Sequence, residues 1–514
     1  MKDAGLFACS PWRSEWVVHH DDDVLVIDKP AGVASHPVEA LELSDVGARL
    51  EAWLGHRPSV LHALDREASG VMVLARSRDA SRELARQLEG GAVLATHLVG
   101  TTSRPRGVPH EVVARAGERL LLRVTGVKSL RRALATAGAP IAGDRENGGA
   151  AAPRLLWHVE SLALRHPRTG VAMLVQAPAP SSFERWVKGR VGLDALEERL
   201  RDAVDRRYAL VMRDDTDAYR LVHGAGDELD GVEVDVYGRH AVVSLASDEA
   251  LGMREAIYDA LHSLGFAGIY AKLRPRKAST LVDTRRDDVA PAEPVRGVAA
   301  PSPLWVRELG VDYAVRLGDG LSTGLFLDQR AGRRWVREAS RGRSVLNLFA
   351  YHGGFTVAAI VGGASRTVTV DASGTALERA RENLARHGAE ASSAHRLVKG
   401  DAAAWLASTP ERFDVVILDP PSYSTTKQGT FRAERDYRRL AALTLGRVAK
   451  GGTLVASTNL RRMSEASFRS VLVGAARDAK REARALRSMP MPLDHPAAPG
   501  EPWHLKSLRV ELAD

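Results

Sequence analysis

The sequence predicts an α/β protein whose C-terminal part is an open, doubly wound sheet rich in parallel strands. From about Trp305 onward, short apolar segments alternate with helical patterns; these segments are SVLNLFA, TVTVDAS, RLVKGDA, DVVILDPP and GTLVAST. Continuous apolar strands separated by helices are typical of a parallel sheet that is covered on both faces. The length of 514 residues predicts several domains, since one domain usually has about 100–200 residues.

Loop-rich segments and changes of pattern divide the chain into four predicted parts. The first domain, residues 1–185, ends in the linker-like segment APAPSSFERW. Residues 186–207 are predicted as a linker helix from apolar residues spaced three and four apart, namely Leu193, Leu196, Leu200 and Val204. Short strands such as GVEVDVYG predict a small β-rich domain over residues 208–304, and the α/β domain occupies residues 305–514.

The chain is basic, with a formal net charge of +8. Its positive residues cluster in four runs, which are KSLRRAL, KLRPRKAS, DQRAGRRWVREASRGR and DAKREARALR. Any one run could be a solvated helix face. Four runs on a basic chain favour a nucleic-acid partner.

Composition also excludes several classes of protein. No apolar segment approaches the roughly 20 residues that cross a membrane, and the start MKDAGLFACSPWRSEW is too short and too polar for a signal peptide. The single cysteine, Cys9, excludes a disulfide framework and a cysteine-based zinc site. We therefore expect a cytoplasmic protein that binds neither a metal nor a membrane.

Each apolar strand of the C-terminal domain ends in residues suited to a ligand beyond the carboxyl edge of the sheet. The first strand leads to a glycine pair, which lets the backbone approach a ligand at a helix N-terminus. The second and third strands end in carboxylates that could accept hydrogen bonds from ribose hydroxyls and from an adenine amino group. The fourth ends in a carboxylate before two prolines. In chain order these residues are Gly353 and Gly354, Asp371, Asp401, Asp419, Pro420 and Pro421; the alternative for Asp401 is a helix N-cap.

This run of segments resembles the class I S-adenosylmethionine-dependent methyltransferases and, more closely, the bacterial ribosomal RNA methyltransferases of the RlmI/RlmK type. The matching segments extend from about Tyr219 to the C-terminus and include TGLFLDQRAGRRWV, VLNLFAYHGGF, LDPPSYSTTK, RAERDY and GGTLVASTNLRR. The resemblance implies a Rossmann-like fold, S-adenosylmethionine as the cofactor and large-subunit ribosomal RNA as the partner. The cofactor site that it implies consists of Gln329, Tyr351, Gly353, Asp371, Asp401 and Asp419. It also implies RNA contacts at Lys427 and Arg435, while Gln329 and Arg330 could instead be an ordinary surface pair.

The chemistry of the target base limits which of its atoms can accept the methyl group. Carbon-5 of cytosine becomes nucleophilic only after a thiolate has added to the ring. The one thiol, Cys9, is far along the chain from ASTNLRR, the segment where cytosine-5 relatives carry a cysteine. A ring nitrogen such as guanine N7 has a free lone pair and needs no base, and DPPSYS with STNLRR looks most like that branch. The alternative is an exocyclic amine, whose enzymes often have an aromatic residue where Ser422 stands.

The segment DPPSYS provides the candidate catalytic residues. Asp419 and the stiff turn of Pro420 and Pro421 would form the floor between the cofactor and the target base. Tyr423 is the candidate that stacks on a flipped base; its alternative is a loop aromatic residue packed on a neighbouring helix.

The N-terminal segments VLVIDKPAGVASHP and VLHALDREASGVMVLARS resemble the RluA-type pseudouridine synthases over about Trp16 to Pro180. The resemblance implies an α+β fold and a catalytic aspartate, Asp65, that attacks a flipped uridine. It also implies an arginine partner, Arg131, that keeps this aspartate ionised. The chain departs from the family in three places: Ala63 and His97 replace an arginine and a tyrosine, and TGVKSLR replaces G-R-T-H-Q-I-R.

We therefore expect the N-terminal domain to be an RNA-binding module, with Lys128, Arg131 and Arg132 on the RNA, that isomerises uridine slowly or not at all. His97 could act in place of the lost tyrosine, so a bifunctional enzyme is the first alternative. A non-catalytic RNA-binding protein is the second, although the intact cofactor residues argue against it. A small-molecule methyltransferase is the third, but it would leave the basic runs without a purpose.

Overall fold

The computed structural model of the protein describes most of the chain. The described residues are 16–36, 45–144, 146–152, 154–189, 196–207, 210, 213, 215–273, 288–389, 393–426, 429–497 and 502–513. The chain divides into two compact units. The first comprises Met1–Asp214, Gly224–Asp230 and Glu255–Gly265, and the second comprises Asp215–His223, Gly231–Arg254 and Phe266–Asp514. The four-part division expected from the sequence remains a proposal.

The first unit is built on a nine-stranded sheet. Its strands are β1 Val17–His20, β2 Val24–Lys29, β3 Ser59–Val60, β4 Ser69–Ala75, β5 Leu94–Thr101, β6 Glu111–Ala116, β7 Arg119–Thr125, β8 Trp157–Arg165 and β9 Ala172–Gln176. The order is β1-β2-β4-β8-β5-β7-β6, with β3 paired to β4 and β9 paired to β8. Among the described strands of this sheet, only β4 and β8 pair in parallel, and β4 is buried along its whole length. This mixed sheet with its helices confirms the expected α+β arrangement.

The helices of the described chain alternate with these strands and with those of the second unit. They are α1 Val46–Leu54, α2 Arg78–Glu89, α3 Leu130–Thr136, α4 Ser181–Lys188, α5 Leu196–Arg206, α6 Asp248–Gly252, α7 Arg254–Ser263, α8 Arg330–Ala339, α9 Gly354–Val361, α10 Gly374–Arg386, α11 Ala402–Ser408, α12 Ala433–Leu445 and α13 Glu465–Asp478. Side-chain caps start several of them; Ser373, for example, accepts a hydrogen bond from the amide of Ala376 at the start of α10. 

The linker helix predicted over residues 186–207 is observed in part. Helix α4 ends at Lys188 and α5 begins at Leu196, while Leu193 and its neighbours lie outside the described residues. Three members of the predicted apolar stripe, Leu196, Leu200 and Val204, are buried. The stripe therefore faces the interior of the first unit, as its spacing predicts.

Short strands begin the second unit, as expected after residue 208. A five-stranded sheet contains, in order, β10 Ala218–His223, β11 Val232–Tyr237, β12 His240–Leu245, β13 Gly268–Leu273 and β14 Arg296–Gly297. Two hairpins follow further along the chain, formed by β15 Leu304–Glu308 with β16 Val311–Val315, and by β21 Tyr423–Thr426 with β22 Gly429–Arg432.

The remaining strands form the predicted doubly wound sheet. They are β17 Ser344–Leu348, β18 Arg366–Asp371, β19 His395–Lys399, β20 Phe413–Leu418, β23 Val448–Thr458, β24 Ala483–Ser488 and β25 Lys506–Leu512. The order is β19-β18-β17-β20-β23-β25-β24, and the first five strands are parallel. The strand order reverses between β17 and β20, and such a switch point is where open α/β sheets bind their ligands.

Alternate residues of the central strands pack on opposite faces of this sheet. Val416 of β20 joins Leu440 of α12 and Phe468 of α13 in one apolar cluster. Its neighbour Val415 joins Phe355 of α9 in another. Helices therefore cover both faces, which is why the strands are apolar throughout.

Candidate active site

A cavity of about 950 Å³ lies at the carboxyl end of the parallel strands, beside the switch point. The residues that follow β17, β18, β19 and β20 all contribute to its walls. Of the residues expected to bind the cofactor or to act in catalysis, it contains Gln329, Tyr351, Asp371, Asp401, Asp419, Pro420 and Pro421. Arg435, expected on the RNA, also lines it. The fold thus brings most of the predicted C-terminal site into one cavity.

Asp371 is the last residue of β18, and its side chain accepts hydrogen bonds from the loop after β17 and from the loop after β18. Its Oδ2 accepts a hydrogen bond from the amide of Tyr351 at 2.8 Å, and its Oδ1 accepts one from the amide of Ser373 at 2.8 Å. Burial raises the pKa of Asp371, and these amide hydrogen bonds oppose that shift. Each carboxylate oxygen keeps a further lone pair, so the side chain can accept two more hydrogen bonds from a diol.

The loop between β17 and α9 has an unusual backbone. Phe349 and Tyr351 adopt positive φ angles of 56° and 50°, a conformation that is uncommon in non-glycine residues and is often found at functional sites. Gly353 follows with φ 74°, and a Cβ there would lie 3.0 Å from Cβ of Ala380. Gly353 is therefore needed for close packing, and Gly354 is the glycine that lines the cavity. A contact between Gly353 and the cofactor stays a prediction.

Asp419 follows β20 and is held by Gln329. The side-chain amide of Gln329 donates from Nε2 to Oδ2 of Asp419 at 2.8 Å. Burial raises the pKa of Asp419 to about 7, the negative charge of Asp328 adds to the rise, and the hydrogen bond from Gln329 opposes it. Gln329 is only 4% exposed and Arg330 is fully buried. The alternative reading of these two residues as an ordinary surface pair is wrong.

A buried ion network supports the turn that carries Gln329. Arg330 forms a bidentate pair with Asp494, with distances of 2.8 and 2.9 Å. One helical turn later, Arg333 forms a bidentate pair with Glu308, with both distances 2.7 Å. Sequence reasoning missed both carboxylates, because Asp494 lies 164 positions from its partner. The only local signal was an acidic residue inside the Pro-rich segment MPLDHPAAPG.

Asp401 lines the cavity but also begins a helix. Its Oδ1 accepts a hydrogen bond from the amide of Ala404 at 2.9 Å, so it is the N-cap of α11. The helix-cap alternative is therefore the role that the structure shows. Its contact with an adenine amino group stays a prediction that would use the second carboxylate oxygen.

The RNA side of the predicted site is described in part. Arg435 pairs with the neighbouring Asp436 at 2.8 and 3.0 Å on the surface. Tyr423 begins the hairpin of β21 and β22, opposite Arg432. The structure does not describe the side chain of Tyr423, nor any part of Lys427 or Cys9. The roles of these residues therefore stay predictions.

One polar pair beside the two prolines was not expected. Ser422 donates a hydrogen bond from Oγ to Oδ1 of Asn459 at 2.5 Å, and Asn459 lines the cavity next to Pro420 and Pro421. With its oxygen engaged, the side-chain amide of Asn459 offers its Nδ2 hydrogens. Asn459 lies in the segment STNLRR, which the sequence analysis had singled out. Nothing in the sequence showed that its side chain would contact Ser422.

The first unit holds the predicted aspartate in an ion cluster. Arg131 donates from Nη1 to Oδ2 of Asp65 at 2.5 Å. The same guanidinium binds both oxygens of the fully buried Asp144 at 2.7 and 3.0 Å. Arg131 is therefore committed to carboxylates, as the resemblance implied, and its predicted second role on RNA is not supported by this geometry. Lys128 and Arg132 are exposed.

Of two histidines in the first unit, His97 is buried and His62 is partly buried. His97 accepts a hydrogen bond at Nδ1 from the indole of Trp157 at 3.2 Å, and burial lowers the pKa of His97 to about 4. His62 accepts a hydrogen bond from the amide of Val73 at 3.1 Å, and burial lowers the pKa of His62 to about 4. Both rings are neutral near pH 7.

One group of acidic and histidine side chains could in principle hold a metal. The ligand atoms of Asp21, Asp23 and His166 lie within 4.8 Å of one another. However, Nδ1 of His166 accepts hydrogen bonds from the amides of Arg168 and Thr169, both at 3.2 Å. Its Nε2 must then carry the hydrogen, and it donates to Asp21 at 3.0 Å. The donor set is thus already used within the protein.

In the part of the chain that the structure describes, no helix has the length and apolar character to span a membrane.

Comparison with known proteins decides the family of the second unit. Residues 219–490, more than half of the chain, match the family model of the S-adenosylmethionine-dependent methyltransferases. The chain belongs to this family. Residues 23–100 match a second model, that of the RNA pseudouridylate synthases. Both resemblances seen in the sequence are confirmed, and the cofactor of this methyltransferase is S-adenosylmethionine.

Relatives of the methyltransferase cover most of its C-terminal part. Ribosomal RNA large subunit methyltransferase I of Aeromonas salmonicida is 32% identical over 326 residues, which are 62% of this chain and 81% of the relative. The protein of the same name from Erwinia tasmaniensis is 33% identical over 318 residues, which are 61% of this chain and 78% of the relative. A solved S-adenosylmethionine-dependent methyltransferase from Streptococcus mutans is 25% identical with a TM-score of 0.55, covering 69% of this chain and 88% of that chain. A methyltransferase structure complexed with S-adenosylhomocysteine has a TM-score of 0.56 at 25% identity and the same coverage.

The residues of the cavity fit this cofactor. The remaining lone pairs of Asp371 suit the two hydroxyls of a ribose, and apolar residues such as Phe349, Ala402 and Leu440 line the same cavity. When bound, the cofactor supplies a methyl group that its sulfonium has already activated. The protein then has to hold the acceptor in line and keep water out. Asp419 can place a carboxylate, held by Gln329, in the same cavity.

Proposed function

We propose that the protein methylates N7 of a guanine in large-subunit ribosomal RNA, with S-adenosylmethionine as the methyl donor. The observation that carries the proposal is the cavity in which Asp371 and the pair of Gln329 and Asp419 meet at the switch point of the sheet. The relatives from Aeromonas salmonicida and Erwinia tasmaniensis, which are named for large-subunit ribosomal RNA, support the substrate class. Of the basic runs, KSLRRAL supports it independently through the exposed Lys128 and Arg132. In the run DQRAGRRWVREASRGR, Arg330 and Arg333 are instead buried in ion pairs.

Cytosine carbon-5 is a poor candidate for the target atom. That reaction requires a thiolate which adds to the ring before methyl transfer. None of the described residues that line the cavity is a cysteine. The single cysteine, Cys9, lies outside the described residues, and the segment ASTNLRR carries none where cytosine-5 relatives do. The chemistry therefore favours an atom with its own lone pair.

The polar groups beside the two prolines favour guanine N7 over an exocyclic amine. The Hoogsteen edge of guanine carries two acceptors, N7 and O6, whereas adenine and cytosine present an amino group there. The Nδ2 hydrogens of Asn459, left available by the hydrogen bond from Ser422, complement an acceptor such as O6. The carboxylate of Asp419 would stabilise the positive charge that develops on a purine methylated at N7. An exocyclic amine is the alternative acceptor, because Asp419, with a pKa of about 7, could also take up a proton from it.

Within this proposal, the other predicted residues contact RNA. Tyr423 stacks on the flipped base, Lys427 and Arg435 meet phosphates, and the first unit is an RNA-binding module that helps to hold the substrate. The division into residues 1–185, 186–207, 208–304 and 305–514 belongs to the same proposal.

The test of the proposed function is a comparison of ribosomal RNA from the parent strain and from a strain that lacks the gene. Mass mapping of nuclease fragments should show one guanine that loses a methyl group in the deletion strain. Re-expression of the parent protein should restore the methyl group, and the Asp371→Ala variant should not. An unchanged methylation map would refute the proposal, as would a lost methyl group on cytosine carbon-5.

A second activity is favoured by the ion cluster of the first unit. Asp65 is paired with Arg131, which is itself positioned by the buried Asp144, so an arginine orients the carboxylate that would attack a uridine. The buried, neutral His97 and the loss of a family arginine at Ala63 argue for slow isomerisation. Carbodiimide mapping of ribosomal RNA incubated with the full chain tests this point. A pseudouridine that forms with the parent but not with Asp65→Ala would make the protein bifunctional.

A further inference from the structure

We propose that the first unit binds the sugar–phosphate backbone of RNA in a second, basic cavity formed by Arg106, Lys128 and Arg132. This inference rests on the proposed function, and it specifies where the N-terminal module binds the RNA. It replaces Arg131, which was expected on the RNA, by Arg106, which was not. We call this site the basic cavity.

The basic cavity has a volume of about 400 Å³ and is lined by the segment before α3, by α3 itself and by the loop around Arg106. Of the eight described residues that line it, three are cations and none is acidic. The others include two hydroxyl side chains, Ser129 and Thr136. At about 30 Å³ per water molecule, this volume has room for a sugar–phosphate segment as well as for a single oxyanion.

Hydrogen bonds fix the backbone on which these cations stand. The amide of Arg106 donates to the carbonyl of Ala137 at 3.0 Å, and Oγ of Ser103 donates to the carbonyl of Gly138 at 2.7 Å. Helix α3 packs into the hydrophobic core of the first unit through Leu130 and Leu134, which are at most 2% exposed. The loop and the helix therefore form a stable frame, and only the side chains need to adjust to a ligand.

The charges of the basic cavity are not neutralised within the described part of the first unit. Arg106, Lys128 and Arg132 are exposed and form no ion pair or side-chain hydrogen bond with the described residues. Arg131, the neighbour of Arg132 on the same helix, shows the contrasting case, because the carboxylates of Asp65, Asp144 and Glu146 all bind its guanidinium. Three cations around one concave surface attract a polyanion and release its counterions.

The position of the basic cavity relates it to a nucleotide at Asp65. Consecutive residues of α3 serve the two places: Arg131 holds Asp65, and Arg132 lines the basic cavity. The Cα atoms of consecutive residues are about 3.8 Å apart, although their side chains leave the helix in different directions. RNA bound at Arg132 would therefore lie in the same region of the first unit as Asp65. Lys128 lies within TGVKSLR, where the chain departs from the pseudouridine synthase pattern, and Arg132 directly follows that segment. Both cations are therefore close in sequence to Arg131, which contacts the retained Asp65.

The experiment measures RNA binding by the full chain, with single variants Arg106→Ala, Lys128→Ala and Arg132→Ala. Arg78→Ala is the matched control, because Arg78 is an exposed arginine of the same unit that does not line the basic cavity. Fluorescence anisotropy with labelled fragments of large-subunit ribosomal RNA is recorded between about 50 and 200 mM salt. A hydrogen bond to a charged group is consistent with a loss of about tenfold in affinity for each removed cation. The slope of log K against log salt should fall by about one for each variant.

The conservative variants Lys128→Arg and Arg132→Lys should restore both affinity and slope, which would show that charge and not local packing is responsible. A competition arm with inorganic phosphate distinguishes the two sources of a phosphate group. Displacement of RNA only by other polyanions supports backbone binding, whereas displacement by millimolar phosphate alone would assign the basic cavity to a free anion and overturn the proposal. Unchanged affinity and slope in all three alanine variants would also overturn it.

Failure of this inference can be distinguished from failure of the proposed function. The affinity of each variant for S-adenosylmethionine, measured by calorimetry, should equal that of the parent, because the cofactor residues lie in the other unit. If the parent transfers no methyl group to ribosomal RNA, the proposed function fails whatever the binding results are. If the parent transfers methyl groups but the alanine variants bind RNA as the control does, only the basic cavity is refuted.

Discussion

Gln329 and Asp419 are joined by a hydrogen bond of 2.8 Å that links the turn before α8 to the end of β20. The donor is neutral and the acceptor is a carboxylate, so the bond stabilises the ionised form of Asp419. Burial acts in the opposite direction and brings the pKa of Asp419 to about 7. The charge at the floor of the cavity therefore changes within the range of pH at which the enzyme would work.

Removal of the amide donor should shift the pH dependence of methyl transfer. In the variant Gln329→Met, which has a similar shape but no donor, the pKa of Asp419 should rise by roughly one to two units, since a hydrogen bond to a charged group is worth roughly 1.5–3 kcal/mol. If ionised Asp419 is the active form, the parent rate should increase with pH through about 7, and the rate of the variant should increase at a higher pH. Single-turnover rates over a pH series measure both midpoints. Identical midpoints would contradict this role of Gln329.

Replacement of Asp419 by an isosteric neutral residue should change stability in a pH-dependent way. The folded-state pKa of about 7 lies above the unfolded value of about 3.9. Between these values the folded state holds a proton that the unfolded state has lost, so the free energy of unfolding of the parent falls as pH rises. The variant Asp419→Asn lacks this titration. Its unfolding free energy relative to the parent should increase by about 3 kcal/mol between about pH 5 and pH 8. Urea unfolding at both pH values provides the measurement, and a constant difference would show that Asp419 is not the group responsible.

Loss of the carboxylate at the end of β18 should abolish cofactor binding. Two charge-assisted hydrogen bonds to ribose hydroxyls are worth roughly 1.5–3 kcal/mol each. The variant Asp371→Ala should therefore bind S-adenosylmethionine at least about a hundredfold more weakly in calorimetry. Asp478→Ala is a suitable control, since Asp478 pairs with Arg438 on the surface and does not line the cavity. Parent-like affinity in Asp371→Ala would refute the assignment.

The sequence predicted this cavity because its residues follow consecutive strands of a parallel sheet. The carboxyl ends of such strands meet at one edge, so Asp371, Asp401 and Asp419 had to lie near one another. The same reasoning could not tell which of the two glycines, Gly353 or Gly354, lines the cavity. Which glycine lines the cavity depends on the contact of Gly353 with Ala380, and that contact is set by how α10 packs.

The supporting ion pairs could not be predicted in this way. Arg330 and Asp494 are 164 positions apart, and neither lies in a pattern of fixed spacing. In the first unit, Arg131 was correctly paired with Asp65 from the resemblance. Its second partner, Asp144, follows from a fold in which a loop after α3 returns to the guanidinium, and this partner takes up the donors that were expected to face RNA.

Disruption of the buried network should destabilise the methyltransferase strongly. Asp494→Ala removes the bidentate partner of the fully buried Arg330, and loss of one member of a buried pair typically costs about 3–5 kcal/mol. Asp312→Ala is the control, because Asp312 pairs with Arg307 and Arg386 near the surface and should cost less than about 1 kcal/mol. Urea unfolding compares both variants with the parent. Equal stability of the two variants would show that the network contributes little.

The single thiol should be dispensable for catalysis. The variant Cys9→Ser should transfer methyl groups at the parent rate, because a ring nitrogen attacks with its own lone pair and needs no covalent intermediate. The check is a time course of methyl transfer, together with a search for a covalent complex on RNA that contains 5-fluorocytosine. A complex that forms with the parent and disappears in Cys9→Ser would refute the non-covalent mechanism.

The most direct test of the central claim identifies the methylated nucleoside. Purified parent protein and labelled S-adenosylmethionine are incubated with ribosomal RNA from a strain that lacks the gene, and the digested nucleosides are separated by chromatography with mass detection. The account predicts label in 7-methylguanosine, none of it with Asp371→Ala, and a break in the RNA chain at the same position after borohydride and aniline treatment. Label in a nucleoside methylated on an exocyclic amine or on cytosine carbon-5, or no label at all with the folded parent, would contradict it.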